Sequence, residues 1–117
     1  MSLFRRLFHS VSPEAMSAAK TKTQQIIDSN PVAVFSKSYC PYCKATKDLL
    51  DSTGAKYFLL ELDQVDDGSA IQDALQEISG QRTVPNVYIA QQHIGGNSDL
   101  QAKKSQLKSL LTDAGAL

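Results

Sequence analysis

Four consecutive apolar residues, Val32-Ala33-Val34-Phe35, constrain the fold of this chain more than any other feature. A strand with one face in water alternates apolar and polar residues. An unbroken apolar run of this length suits a strand buried on both faces, at the centre of a covered sheet. Immediately downstream, Cys40-Pro41-Tyr42-Cys43 opens a segment of helical period. A strand followed at once by a helix is the start of a β-α-β unit.

The remaining patterns extend that unit. Pro13 to Ser29 predicts a helix: Ser12 can cap it, Pro13 suits its first position, and Met16, Ala19, Ile26 and Ile27 share a face. Asn30-Pro31 ends it. Pro41 to Thr53 predicts a second helix with Leu49 and Leu50 inward and Gly54 as its stop. Lys56 to Leu62, rich in Tyr, Phe and Leu, predicts a second strand. Asp67 to Ser79 predicts a third helix, with Ile71, Leu75 and Ile78 on one side and Gly80 after it. Asn86 to Ala90 and Gln92 to Gly95 predict two short strands around a Gln91-Gln92 turn. Ser98 to Thr112 predicts one closing helix that buries Leu100, Leu107, Leu110 and Leu111. The order α-β-α-β-α-β-β-α is that of an α/β fold, a mixed four-stranded sheet with helices on both faces.

The chain has 117 residues, enough for one compact domain. Twelve basic residues balance twelve acidic ones. The basic excess that draws proteins to nucleic acid is therefore absent, and no nucleic-acid partner is expected. No apolar run approaches the roughly 18 residues of a membrane-spanning helix, so no membrane partner is expected either. Residues 1–15 differ from residues 16–117. Met1 to Pro13 carries Arg5, Arg6, three serines and no acid, and Leu3, Phe4, Leu7, Phe8 and Val11 follow a helical period. That is the character of a mitochondrial presequence; a short tail is the plainer reading. Met16 could then serve as a second start. The expected compartment is cytoplasmic, or mitochondrial where residues 1–15 act as a targeting segment.

The chain has two cysteines, Cys40 and Cys43. Three positions apart, they close a loop too short to staple a fold, so they point to chemistry rather than architecture. Cys40 falls just before a helix start, where free N–H groups and the helix dipole favour a thiolate, and Lys37 adds a nearby cation. Cys43 lies one turn later, nearer the helix interior, and reads as the resolving thiol. A zinc site needs more ligands than this pair offers. The only other soft candidates are His9 and His93, so no metal is expected.

Three blocks narrow the chemistry: Phe35-Ser36-Lys37-Ser38-Tyr39-Cys40-Pro41-Tyr42-Cys43, then Thr83-Val84-Pro85, then Gly95-Gly96-Asn97-Ser98-Asp99-Leu100. In order and spacing, from roughly Met16 to Leu117, they resemble the signature blocks of dithiol glutaredoxins. Thioredoxins usually carry Trp-Cys-Gly-Pro-Cys, and this chain has no Trp. The resemblance implies a thioredoxin-like fold and a glutathione-dependent thiol–disulfide oxidoreductase. Cys40 is then the nucleophile and Cys43 the resolving thiol. Glutathione is a co-substrate, no cofactor is bound, and the partners are glutathionylated proteins and disulfide substrates, met as a monomer. It further implies Lys37 and Gln72 near the glycine carboxylate of glutathione. Arg82 either adds positive potential there or is a solvated loop charge. Tyr42 supplies an aromatic wall. Thr83, Val84 and Pro85 include a cis Val84–Pro85 bond, and the Val84 backbone pairs with the cysteinyl residue. Gly96 allows close approach, Ser98 caps the last helix beside the γ-glutamyl carboxylate, and Asp99 meets the γ-glutamyl ammonium. Ser98 and Asp99 could equally be helix-start chemistry. Some glutaredoxins bridge a [2Fe–2S] cluster between two chains, and Pro41 weighs against that role here. A general disulfide reductase of the thioredoxin type is the other rival.

Overall fold

The computed structural model describes residues 12–117. Most of the segment read as a targeting sequence therefore lies outside the described residues. Helix α1 (Pro13–Ser29) begins as its sequence predicts, with the Ser12 hydroxyl accepting the Ala15 N–H at 3.1 Å and Pro13 in the first turn. Strand β1 (Val32–Ser36) is buried along its whole length. Helix α2 (Pro41–Thr53) ends at Gly54, whose φ of 78° lies in the left-handed region. Strand β2 (Phe58–Glu61) leads into a 3₁₀ turn (Leu62–Gln64). Helix α3 (Gly68–Ser79), strands β3 (Asn86–Ile89) and β4 (Gln92–Gly95), and helices α4 (Asn97–Ala102) and α5 (Lys104–Ala114) complete the chain.

The four strands form one mixed sheet in the order β2-β1-β3-β4. Strand β1 runs parallel to β2, pairing Ala33 with Phe58 and Ser36 with Glu61, and antiparallel to β3, pairing Val32 with Ile89 and Phe35 with Asn86. Its apolar run divides by the period-two geometry of a strand. Ala33 and Phe35 pack with Ala19 and Ile27 of α1 and with Ile71 and Leu75 of α3. Val32 and Val34 pack on the opposite face with Leu50 of α2, Leu100 of α4, and Leu107 and Leu111 of α5. A run without polar interruption is thus satisfied by two separate cores.

Several boundaries differ from the sequence expectation. Strand β2 is shorter than Lys56 to Leu62. It is an edge strand, which leaves Phe58 and Leu59 partly exposed. The hairpin turns at Ala90-Gln91, not Gln91-Gln92. Both residues have positive φ, 51° and 64°, as a two-residue turn matched to strand twist requires, here without glycine. The closing helix is two helices. Lys103 breaks it while its N–H still reaches the Leu100 carbonyl at 3.0 Å, so Leu100, Leu107 and Leu111 stay buried and Leu110 only half so. Finally, α3 starts one residue late, at Gly68, and for a reason the local pattern does not carry. A Cβ on Gly68 would lie 1.9 Å from the Leu62 carbonyl oxygen. Gly68→Ala is expected to lower stability by at least about 2 kcal/mol, because a backbone atom must move to admit the methyl. A urea midpoint equal to that of the parent protein would show that the α3 start slides freely.

Candidate active site

The chain leaves the buried end of β1 through Lys37-Ser38-Tyr39 and enters α2 at Cys40. The 3₁₀ turn holds this loop from the side. Asp63 accepts the Ser38 hydroxyl and, at 2.9 Å, the Ser38 N–H. Those two hydrogen bonds hold the Asp63 carboxyl below its ordinary range, so the anchor persists into mildly acid solution. Cys40 itself is the N-cap of α2. Its Sγ accepts the Cys43 N–H at 3.2 Å, while its own N–H donates to the Lys37 carbonyl at 3.1 Å. A helix start thus presents a backbone donor to sulfur where a serine or aspartate oxygen more often sits.

The two thiols are free and unequal. Cys40 is half-buried and Cys43 fully buried. Burial, and then the hydrogen bond to Cys40, push the Cys43 thiol above its ordinary value. The Lys37 N–H, 3.5 Å from Cys43 Sγ, and the Ser36 hydroxyl pull the other way. Lys37 therefore meets the pair through its backbone, with its side chain half-exposed. Tyr39 and Tyr42 flank the site, 71% and 69% exposed.

A cleft of about 300 Å³ is lined by Tyr42, Thr83, Val84, Pro85, Gly96, Asn97 and Ser98. The Val84–Pro85 bond is cis, as expected. Gln81 braces this wall, its amide nitrogen donating to the Thr83 and Pro85 carbonyls at 3.0 Å each. Gln72 is buried on α3, not a surface residue, and its amide nitrogen donates to the Arg82 carbonyl at 3.0 Å. Arg82 is not a free cation, because its Nε lies 2.8 Å from an Asp73 carboxylate oxygen.

At the far wall the expected Ser98 cap is absent. Gly96 occupies the N-cap of α4, and the Asp99 carboxylate reaches back to accept the Gly96 N–H at 2.9 Å. Gly95, with φ 120°, must lack a side chain here, since a Cβ would meet Asp99 Oδ2 at 2.3 Å.

The sequence reading missed two further elements. Asn97 lines the cleft, and its Oδ1 accepts both the buried Thr46 hydroxyl at 2.9 Å and the Gln101 amide at 3.2 Å, which ties α4 to α2. Its place inside the Gly95-to-Asp99 block was the available signal. Lys47 on α2 lies 2.8 Å from Glu61 on β2. That hydrogen bond is the largest influence pushing the Lys47 ammonium above its ordinary value. Among the described residues, no three His, Cys, Asp or Glu side chains converge as a metal site, and no helix is long and apolar enough to cross a membrane.

The chain is similar in sequence and fold to known proteins. The glutaredoxin family model matches residues 32–94, which span β1, the cysteine pair, the Val84–Pro85 segment and most of β4. The chain is 58% identical over 101 residues to a glutaredoxin of Ricinus communis, covering 85% of this chain and 99% of that one. It is 52% identical to glutaredoxin-C2 of Arabidopsis thaliana, covering 85% and 91%. Its backbone superposes on the crystal structure of a buckwheat glutaredoxin–glutathione complex with a TM-score of 0.87 at 48% identity, over 92% of this chain and 99% of that one. The holo form of poplar glutaredoxin C1 gives 0.82 at 42% identity, over 89% and 96%. With a thioredoxin-like sheet, two free thiols at the start of α2 and this degree of likeness, the chain belongs to the glutaredoxin family of thiol–disulfide oxidoreductases.

Proposed function

We propose that the protein reduces glutathione mixed disulfides and protein disulfides, with Cys40 as nucleophile, Cys43 as resolving thiol and glutathione as co-substrate. One observation carries this reading. Cys40, half-buried and with its sulfur capped by a backbone N–H, stands two residues before Tyr42, which lines a cleft of tripeptide size. The buckwheat relative, nearly half identical, crystallised as a complex with glutathione.

The chemistry is two displacements. The Cys40 thiolate attacks the glutathione sulfur of the mixed disulfide. A bond forms between Cys40 and glutathione, the substrate's disulfide breaks, and the substrate thiol departs with a proton. A second glutathione then attacks the sulfur of the bound glutathione, giving glutathione disulfide and regenerating Cys40. With a protein disulfide as substrate, Cys43 closes onto Cys40 and expels the reduced protein.

Glutathione carries two carboxylates and an ammonium. Lys37 faces the glycine carboxylate in this reading. Gln72 acts there by holding the Arg82-Thr83 backbone, and Arg82 contributes only what Asp73 leaves uncompensated. The Val84 backbone pairs with the cysteinyl residue as an added strand would, between the braced carbonyls of Thr83 and Pro85. Gly96 and Ser98 receive the γ-glutamyl end. Asp99, with one oxygen on the Gly96 N–H, offers the other to the γ-glutamyl ammonium.

The test follows the division of labour. On a glutathionylated peptide, with glutathione and its reductase, Cys43→Ser is expected to retain at least about half the parent rate, because the two-displacement route never uses Cys43. Reduction of a protein disulfide by the same variant should fall to background. Loss of both activities together contradicts the assignment.

A further inference from the structure

Lys47 and Glu61 form the most deeply set ion pair among the described residues. Their side chains are 19% and 16% exposed, whereas the others lie at the surface. The second oxygen of Glu61 is buried and has no hydrogen-bond partner. A pair selected for stability alone is poorly served by an unmet buried carboxylate oxygen, which costs free energy.

Its position gives the pair another use. Cys40, Cys43 and Lys47 stand at i, i+3 and i+7, on one face of α2. Helical side chains lean toward the N-terminus, so the Lys47 stem runs back over the turn that carries Cys43. Both cysteines add, after Glu61, to the influences that hold the Lys47 proton. Glu61 approaches from the sheet. It is the register partner of Ser36, whose hydroxyl acts on the Cys43 sulfur, and the next N–H, that of Lys37, donates to the same sulfur. Of the other charges around the site, Asp63 is bonded to Ser38, Lys44 pairs with Asp48 at the exposed surface, Asp51 accepts the Tyr57 hydroxyl, and Lys37 is half-buried like Lys47 but reaches the Cys43 sulfur through its backbone N–H.

We propose that Lys47, held in place by Glu61, is a positioning residue for the resolving thiol, its ammonium stabilising the Cys43 thiolate in the step that closes the Cys40–Cys43 disulfide. The assignment rests on the function proposed above. In that step the Cys43 sulfur attacks the Cys40 sulfur of the mixed disulfide. The Cys40–Cys43 bond forms, the bond from Cys40 to glutathione breaks, and glutathione leaves as a thiol with a proton matching the one Cys43 gave up. Burial opposes ionisation of Cys43, so the step calls for a cation that water does not fully screen. Lys47 is that cation; Lys37, on the other side of Cys43 in sequence, meets its sulfur through the backbone N–H.

The experiment mixes reduced full-length protein with one equivalent of glutathionylated peptide and no free glutathione. Closure by Cys43 is then the only source of free glutathione, followed by stopped flow from mildly acid to mildly alkaline pH. Lys47→Met is expected to raise the pH of half-maximal release by about one unit, and Lys47→Arg to restore it. Lys47→Met combined with Glu61→Gln leaves no uncompensated carboxylate and should show the same rise if the single variant folds poorly. A midpoint that stays put, or a rate lost by the same factor at every pH, overturns the assignment of Lys47 while leaving Cys43 as the resolving thiol. A parent protein that forms the mixed disulfide and releases no glutathione overturns both.

Discussion

Cys40→Ser is expected to lower the proposed deglutathionylation by at least about a thousandfold, because a serine hydroxyl is essentially un-ionised at neutral pH and does not displace at sulfur. The substitution keeps the cap. Serine is a better helix N-cap than cysteine, and its oxygen can accept the Cys43 N–H that Cys40 Sγ now accepts at 3.2 Å. The variant should therefore fold, melt no lower than its parent and still bind glutathione in the cleft. That combination separates chemistry from architecture. The measurement is the coupled rate on a glutathionylated peptide beside a thermal melt. Substantial residual turnover would mean that buried Cys43 is a sufficient nucleophile, which its full burial and raised pKa argue against.

Phe35→Ala lowers stability by about 3–5 kcal/mol, the range for deleting a buried aromatic ring. Phe35 is fully buried at the centre of β1 and meets Tyr88 of β3 edge-to-face, with ring centroids 6.2 Å apart and planes at 84°. A domain of this size has a total stability of about 5–15 kcal/mol, so one ring is a large share of it. Phe35→Leu, which keeps most of the volume, should cost less than about 1.5 kcal/mol. Denaturant unfolding of both variants decides the matter. Equal losses would mean that the edge-to-face contact, rather than the filled volume, is what the core requires. The loop to Cys40 begins at Lys37, two residues on, so activity should fall with the folded fraction in Phe35→Ala.

What the sequence made legible were features whose cause is local. The Val32-to-Phe35 run announced a strand covered on both faces. Gly54 and Gly80 marked helix ends because a left-handed φ, 78° and 84°, is a demand of their own backbone. Cys40 before Pro41 implied a sulfur at a helix start, and the Cys43 backbone N–H is the partner observed there. The misreadings have causes elsewhere in the chain. Gly68 is needed because of the Leu62 carbonyl, brought near by a 3₁₀ turn that no pattern announced. The break at Lys103 was hidden because the buried leucines keep their spacing across it. Ser98 looked like a cap until Asp99 turned back to Gly96. The burial of Gln72 and the Lys47–Glu61 pair left no local signal, because their partners arrive from other elements of the fold.

Strand order also bears on how this chain comes into being. Strand β1 is the centre of the sheet, but both its neighbours, β2 and β3, are made after it. About 50 residues separate Ser36 from Ile89, and at ribosomal rates of about 5–20 residues per second β1 waits roughly 3–10 s for its last partner. Through that interval a strand with no polar face lacks at least one of its two partners, and the sheet beside Cys43 is incomplete. The period in which the nascent chain is most open to misassociation and to stray oxidation is therefore set by topology, and no gain in the stability of the finished domain would shorten it.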